Sequence, residues 1–281
     1  VDSLKKRPKV AYCGIEGAFA SIAAGRIFPD GQRMAYHSFR SAYRSVVNGE
    51  CDYAVLPIEN SYAGEVGQVM DLIFEGDLHI RGIYSLPIAQ NLLGVKGAKL
   101  EDIRTVVSHQ QALDQCYLYI QEHRFNPIAA TNTAEAAKQV ATKGDKSVAA
   151  IASLETAQMY DLDVLEYTVN EARNNTTKFA VVEREMSSII KEDTDKDIIV
   201  LMFTVPNTPG ALSQILTSLG IFGYNMRVIR SRPLKGHKWT YYFYTEAEGD
   251  DTSIFDPMIE GLKRNCKHLK VLGHYSEVDE L

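Results

Sequence analysis

No apolar run in this chain approaches the ~20 residues that a membrane-crossing helix needs, so a helical membrane span is excluded on sequence grounds. The amino end, Val-Asp-Ser-Leu-Lys-Lys-Arg-Pro, carries charge without an apolar segment behind it, and no secretory signal is expected there. Basic excess is also lacking. With 30 Lys and Arg against 36 Asp and Glu the formal charge is -6, which argues against nucleic acid or an anionic membrane as partner while leaving room for a local basic pocket. The four cysteines (Cys13, Cys51, Cys116, Cys266) have no metal-ligand spacing; reduced core residues, no bound metal and a cytoplasmic setting are expected. The turn Gly14-x-x-Gly17 lacks the third glycine of a dinucleotide fingerprint, and it lacks the Gly-Lys-Ser/Thr of a P-loop. It gives little support to a nucleotide cofactor. The chain opens on Val and not Met, so sequence ahead of residue 1 is allowed for.

What is present is a long alternation of strand and helix. Lys9–Cys13 reads as a strand ended by Gly14, Ala18–Phe28 as a helix, and Ser38–Asn48 as a second helix stopped at Asn48-Gly49. Cys51–Leu56 reads as a strand that Pro57 breaks. A polar loop then runs from Ile58 to Glu65 into a helix over about 65–75, with Val66, Val69, Met70 and Ile73 on one face. Strands follow over Leu78–Leu93, with Pro87 at an edge or crossing point. A short strand over 104–107 leads to Ser108-His-Gln-Gln111, which has the pattern of a capping box with Ser108 at the N-cap. From that cap Gln111 and Gln115 lean back on one helix face, and His109 is read as structural. Strand, helix and strand repeat over 128–151, with a helix over Ser153–Tyr160. Alternation of this length is the signature of doubly wound sheets.

Asn174-Asn-Thr-Thr-Lys-Phe-Ala-Val-Val182 then passes abruptly from polar side chains into a β-branched, buried-strand run. A polar loop at the mouth of a rigid strand is a good place to hold a small anion, although a capped turn before a core strand explains the same residues. Met186–Asp197 is charged and without period, and reads as a linker. Beyond it the order changes: strand Ile198–Val205, helix from Pro209 to about Leu219, strand Met226–Ser231, strand Trp239–Thr245, helix Ser253–Arg264, strand Leu269–Leu272. This is the βαββαβ, ferredoxin-like plan, with Pro209 expected in the first helical turn.

In order, these pieces resemble prephenate dehydratase followed by an ACT regulatory domain. The markers are Val55-Leu-Pro-Ile-Glu-Asn-Ser61 with Gly64, Ser108-His-Gln-Gln-Ala-Leu-Asp-Gln-Cys116, Asn175-Thr-Thr-Lys-Phe179, Pro209-Gly-Ala-Leu212 and Ser231-Arg-Pro233. The resemblance implies an α/β fold: two doubly wound subdomains of periplasmic-binding-protein type with a cleft between them, plus a C-terminal ferredoxin-like ACT domain. The implied boundaries are 8–186 for the catalytic region (8–86 plus 170–186, and 87–169), 187–197 for the linker and 198–281 for the ACT domain. It implies decarboxylative dehydration of prephenate to phenylpyruvate in phenylalanine biosynthesis, without cofactor, and homodimers or homotetramers that bind phenylalanine. Arogenate as substrate, a weakened protein that only binds aromatic ligands, and a piece of a chorismate mutase fusion remain alternatives.

By the same resemblance Thr177 is the catalytic residue, donating a hydrogen bond to the departing hydroxyl. Asn60, Ser61, Ser108, Gln115, Thr176, Lys178 and Phe179 surround the substrate. Pro209, Gly210, Ala211, Leu212, Ser231, Arg232 and Pro233 form the effector site. Lys178, Asn60, Ser108 and helix N-termini are expected to receive the substrate's two carboxylates. Glu59 is a rival acid that would have to be protonated beside a dianion. Three departures from the family pattern stand out: Lys178 where Arg is usual, Ala18 and Ala20 where hydroxyl residues are usual, and Arg230 where Glu is usual.

Overall fold

β1 (Lys9–Cys13) buries Val10, Ala11 and Tyr12 in succession, the mark of a strand covered on both faces. In this computed structural model, which describes residues 7–172, 174–187, 197–236, 238, 240–249, 252–276 and 280–281, it is followed by α1 (Phe19–Ile27), β2 (Gln32–Tyr36), α2 (Phe39–Val47) and β3 (Tyr53–Asn60). β2 and β3 flank β1 in parallel. Ser38 and Ser41 cap α2 reciprocally, through bonds of 3.1 and 3.2 Å between hydroxyl and backbone N–H.

Pro57 does not end β3. The last β3 residue paired with β1 is Val55, so Pro57 lies beyond that ladder and its missing N–H costs nothing there. The strand continues to Asn60 and turns through 61–63 into β4 (Gly64–Glu65), with Asn60 opposite Gly64. The stretch expected to be a polar loop is thus a tight hairpin, which feeds α3 (Gly67–Glu75) and then β5 (His79–Pro87).

A second sheet is built from β6 (Asn91–Gly94), β7 (Thr105–His109), β8 (Asn126–Ala130), β9 (Val148–Ala152) and β10 (Asp163–Glu166). Its helices are α4 (Gln110–Gln115), α5 (Tyr117–Glu122), α6 (Thr133–Lys143) and α7 (Leu154–Met159). The strand order is β10-β6-β9-β7-β8, and β7 is parallel to β8 and β9 while β6 and β10 run antiparallel to their neighbours. Side-chain alternation divides its core. Val106, Ala149 and Ile151 pack with Leu113, Cys116 and Ile120, whereas Val107, Ala150 and Ala152 pack with Ala136, Ala137 and Val140. A sheet covered by helices on both faces in this way is doubly wound. β11 (Thr176–Glu183) returns to the first sheet, whose order is β2-β1-β3-β11-β5; Pro87 thus ends an edge strand.

The described chain packs as two units: residues of 1–70, 84–179 and 280–281 form one, residues of 71–83 and 180–279 the other. In the second unit β12 (Asp197–Thr204), α8 (Ala211–Ile221), β13 (Asn225–Pro233), β14 (Tyr241–Gly249), α9 (Phe255–Lys263) and β15 (His268–Ser276) realise the βαββαβ plan. The sheet is antiparallel, in order β13-β14-β12-β15. Two details differ from expectation. α8 starts at Ala211, with Gly210 as N-cap in the left-handed region (φ 84°), so Pro209 precedes the helix instead of opening it. Asp197 already belongs to β12. Most of the expected linker (188–196), together with Trp239, lies outside the described residues.

One face of this sheet packs Ile199, Leu201 and Phe203 against Ile215 and Leu219 of α8 and Met258 and Leu262 of α9. The other face meets residues 71–83 of the same unit. Phe74 stacks on Tyr242 with ring centroids 4.0 Å apart, and the Lys270 ammonium donates to the carbonyls of Ile73 and Gly76. Gly273 lies so close that a Cβ there would strike the Ile80 carbonyl oxygen.

Candidate active site

The ends of β1 and β3, the start of β11 and the segment between β5 and β6 meet the starts of α1, α4 and α6 around one cavity of about 450 Å³ in the first unit. Ligands of α/β sheets bind at such strand ends. Two of these helices, α1 and α6, are 9 and 11 residues long. Ala18, Phe19 and Ala20 bring the start of α1 to the cavity, and Thr131, Asn132 and Thr133 bring the start of α6. Ala18 supplies no side-chain cap. Helix starts carry partial positive charge and favour anions, and here they do so without a lysine or arginine among the described residues that line the cavity.

A chain of neutral hydrogen bonds runs along one wall. Its first orientation is dictated locally: Asn60 Oδ1 accepts from the N–H groups of Tyr62 and Ala63 at 3.0 and 2.9 Å, so its amide nitrogen must point the other way. That nitrogen donates to Asn175 Oδ1 and to Thr177 Oγ1, each at 2.9 Å. Asn175, with its oxygen used, donates through Nδ2 to Gln115 Oε1 at 3.0 Å. Asn60, Asn175 and Gln115 are all buried, where such bonds are strong and costly to break. The order of donors leaves two loose ends. Thr177 accepts from Asn60 and keeps its own proton to give, and Gln115 keeps its amide N–H groups; both side chains line the cavity.

The expected site residues separate into two sets. Asn60, Gln115, Thr177 and Phe179 line the cavity together, with Phe179 buried as its wall. Ser108, Ser61, Thr176 and Lys178 do not. Ser108 is no helix cap: it belongs to β7, is fully buried, and donates to the Ile151 carbonyl at 2.6 Å. The cap of α4 is His109, whose Nδ1 accepts from Gln111 N–H at 3.3 Å, and His109 and Gln111 line the cavity instead. Ser61 ties the hairpin to β11 through a bond from Thr176 N–H of 2.9 Å, and Thr176 Oγ1 turns to the Asn174 carbonyl. Lys178 lies 3.8 Å from Glu59, and neither lines the cavity. The period of two along β11 explains this, since Thr177 and Phe179 face one way and Thr176 and Lys178 the other.

Sequence reasoning gave no separate role to Asn175, Gln90, His37 or Asn132. Asn132 had a readable signal, an Asn followed three residues later by Glu135, and its Oδ1 does cap α6 by accepting from Glu135 N–H at 2.8 Å. Asn175 and Gln90 had none, because their surroundings come from distant parts of the chain. Ala18 and Ala20 both face the cavity. Among the described residues no group of three or more His, Cys, Asp or Glu is placed to hold a metal ion.

The residues expected to hold an effector lie in the second unit. Ser231 pairs across the sheet with Phe243, a member of the core on the helix side, and so shares a face with Leu212. Arg232 pairs with Tyr242 on the opposite face and is held there by Asp71, with Nε donating to Oδ1 at 3.2 Å. Lys235 lies 2.8 Å from the other Asp71 oxygen, and the Tyr242 hydroxyl donates to Oδ1 at 3.1 Å. Burial alone would raise the Asp71 carboxyl, but its bonds from Lys235, Arg232 and Tyr242 and the Arg232 charge hold it below its usual range.

A family model for prephenate dehydratase matches residues 10–187. The chain is 36% identical over 232 residues, 83% of its length, to arogenate dehydratase/prephenate dehydratase 1 of Arabidopsis thaliana, and it spans 59% of that plant protein. It is 33% identical to the prephenate dehydratase of Lactococcus lactis, covering 95% of this chain and 97% of that one. Among solved structures it is similar to the Arthrobacter aurescens prephenate dehydratase in complex with L-Phe (TM-score 0.86, 30% identity, 97% and 91% of the two chains). A protein described as a novel type of quorum quenching acylase is as similar in shape (TM-score 0.86, 29% identity, 96% and 98% covered). On the family match and these identities, the chain belongs to the prephenate dehydratase family.

Proposed function

We propose that the cleft converts prephenate to phenylpyruvate by decarboxylative dehydration. The observation that carries this is the polarity of the Asn60–Thr177 bond. An amide N–H occupies a lone pair of Thr177 Oγ1, so the hydroxyl is presented to the cavity as a donor. An amide cannot take up a proton, so this threonine is not built as a nucleophile with a base, the arrangement that amide hydrolysis would ask of it. Cys13, which also lines the cavity, is held as a neutral thiol because burial raises its pKa.

In the reaction the bond from ring to carboxylate breaks and CO₂ leaves. Its electron pair enters the ring, and the C–O bond breaks to expel hydroxide, which takes a proton from solvent as water. Aromatisation drives the step. The protein's part is to orient the dianion at the helix starts and stabilise the charge growing on the departing oxygen through Thr177. Gln115 adds amide donors at the same wall.

Thr177→Ala should lower kcat for phenylpyruvate formation by about 10²–10³-fold, the loss typical of one such donor, while Thr177→Ser retains most activity. A Thr177→Ala protein within about tenfold of the parent would remove the donor from the mechanism.

We further propose that the C-terminal unit is an ACT domain that binds phenylalanine near Pro209–Leu212 and Ser231–Pro233, and that the protein works as a homodimer or homotetramer in the cytoplasm. The βαββαβ plan supports the first. Ile221, 77% exposed on α8, supports assembly, and four free cysteines support a reducing compartment. Calorimetric titration with phenylalanine and light scattering test the effector and the assembly separately.

A further inference from the structure

Among the described residues that line the cavity, the titratable side chains are Cys13, His37 and His109. Burial raises the pKa of the Cys13 thiol and so keeps it neutral. The same lining includes no Asp, Glu, Lys or Arg, so the two histidines are the side chains there that can bring a positive charge to an anion. The hydrogen-bonded chain through Thr177 uses neither.

Their places follow one rule. α1 leaves the end of β1, and the neighbouring strand β2 ends beside it: Cys13 pairs with Tyr36, and Gly14 N–H donates to the Tyr36 carbonyl at 2.8 Å. His37 is the next residue and stands beside the turn that enters α1. α6 leaves the end of β8, and the neighbouring strand β7 ends at His109, which pairs with Ala130. His109 therefore stands beside Thr131, Asn132 and Thr133, the entry to α6. Each sheet contributes one helix start and, one strand over, one histidine. Prephenate has two carboxylates, and the cavity has two such stations. At α1 the station is open, because Ala18 brings no side-chain cap and the first N–H groups of a helix need an acceptor from elsewhere.

The two rings differ in what they can offer. Nδ1 of His109 accepts from Gln111 N–H at 3.3 Å. A nitrogen that accepts carries no proton, so the ring keeps its proton on Nε2, at the edge away from the cap. His109 thus offers an N–H without net charge. Among the described residues no bond of this kind holds His37, which can take a second proton without breaking a cap. Charged groups on the neighbouring segments are engaged elsewhere: Glu16 lies 3.5 Å from Arg33, Glu50 accepts from the Tyr36 hydroxyl at 3.5 Å, and Asp114 accepts from Gln110 Nε2 at 2.8 Å. None of these lines the cavity, and neither do Arg40 and Glu135.

We infer that His37 and His109 are further substrate-binding residues: each gives a hydrogen bond to one carboxylate of the dianion, His37 at the α1 start as the imidazolium and His109 at the α6 start through its neutral Nε2–H. This rests on the decarboxylative dehydration proposed above. It supplies the positive charge that the rest of the described lining lacks, and it makes substrate affinity depend on pH.

The test measures kcat and KM of the full chain for prephenate, followed as phenylpyruvate, at two pH values. In the parent, KM should fall about tenfold from about pH 8 to about pH 6, as His37 gains its proton and a charge-assisted bond replaces a neutral one. In His37→Gln, whose amide donates without charge, KM at about pH 8 should match the parent and should stay within about twofold of that value at about pH 6. His109→Asn keeps an acceptor for the α4 cap and loses the reach to the substrate. Its KM should rise about five- to tenfold at both pH values while kcat stays within about threefold. A parent KM that is flat with pH, or one that falls equally steeply in His37→Gln, would overturn the charge assigned to His37. An unaltered KM in His109→Asn, or a fall in kcat alone, would overturn the second contact. A parent that forms no phenylpyruvate at either pH would instead overturn the dehydratase reading of the cleft, and this assignment with it.

Discussion

In the cleft Gln115, Asn175, Asn60 and Thr177 hold one another through neutral amides and a hydroxyl, whereas in the C-terminal unit Asp71 is held by Arg232, Lys235 and Tyr242. Both clusters are polar networks, but they do different work. A neutral chain transmits direction: each group is a donor or an acceptor because of what its neighbour already uses, and the last members face the cavity with a known polarity. It adds no fixed charge that would have to be paired when a dianion arrives. The ionised cluster fixes position instead, with Arg232 tied to Asp71 through Nε.

The largest effect that breaks this comparison is expected at Asn175. Asn175→Ala removes the link between Asn60 and Gln115 and leaves the Gln115 Oε1 without the Asn175 donor, which should lower kcat by about a hundredfold and cost about 1–3 kcal/mol of stability. Phenylpyruvate formation and thermal unfolding measure the two; a change in stability alone would mean that the chain only holds the fold.

Next comes Asp71. Its folded pKa is lowered, so its contribution to stability is fully present above the unfolded value of about 3.9 and is lost as pH falls through the folded value. The protein should therefore lose stability below about pH 4 more steeply than Asp71→Asn does. At pH 7 the same variant should be less stable by about 1–3 kcal/mol, since the two cations lose their carboxylate. Parallel denaturant curves at both pH values decide it.

The smallest effect is expected at Lys178, which faces Glu59 outside the cavity. Lys178→Arg should change kcat/KM by less than about threefold, as befits a partly exposed pair. A gain above about tenfold would put this side chain against the substrate after all.

These results also show what a sequence can convey. The alternation of strands and helices, the caps at Ser38 and Asn132, and the βαββαβ order are local or periodic, and could be read directly. The capping-box pattern at Ser108 does not reveal that β7 continues through it, that the cap of α4 is His109, and that the Ile151 carbonyl waits across the sheet. Lys178 follows Thr177 in the motif but does not line the cavity, as the period of two along β11 implies. Asn175 takes its meaning from Asn60 and Gln115, 115 and 60 residues away in the chain, and no local pattern encodes that. The same holds for residues 71–83, whose packing against the C-terminal sheet is invisible until the chain is folded.

Gly273 has a consequence for how this protein can vary. Elsewhere on that sheet face every contact described involves a side chain, as in the stacking of Phe74 on Tyr242 or the reach of Lys270 to the Ile73 and Gly76 carbonyls, and one side chain can be exchanged for another over successive substitutions. At Gly273 the carbonyl of Ile80 occupies the place of any side chain, so the spacing between β15 and the 79–83 run is set by backbone radii alone. That makes it a fixed gauge, from which the lineage can drift on either side but which it cannot itself replace.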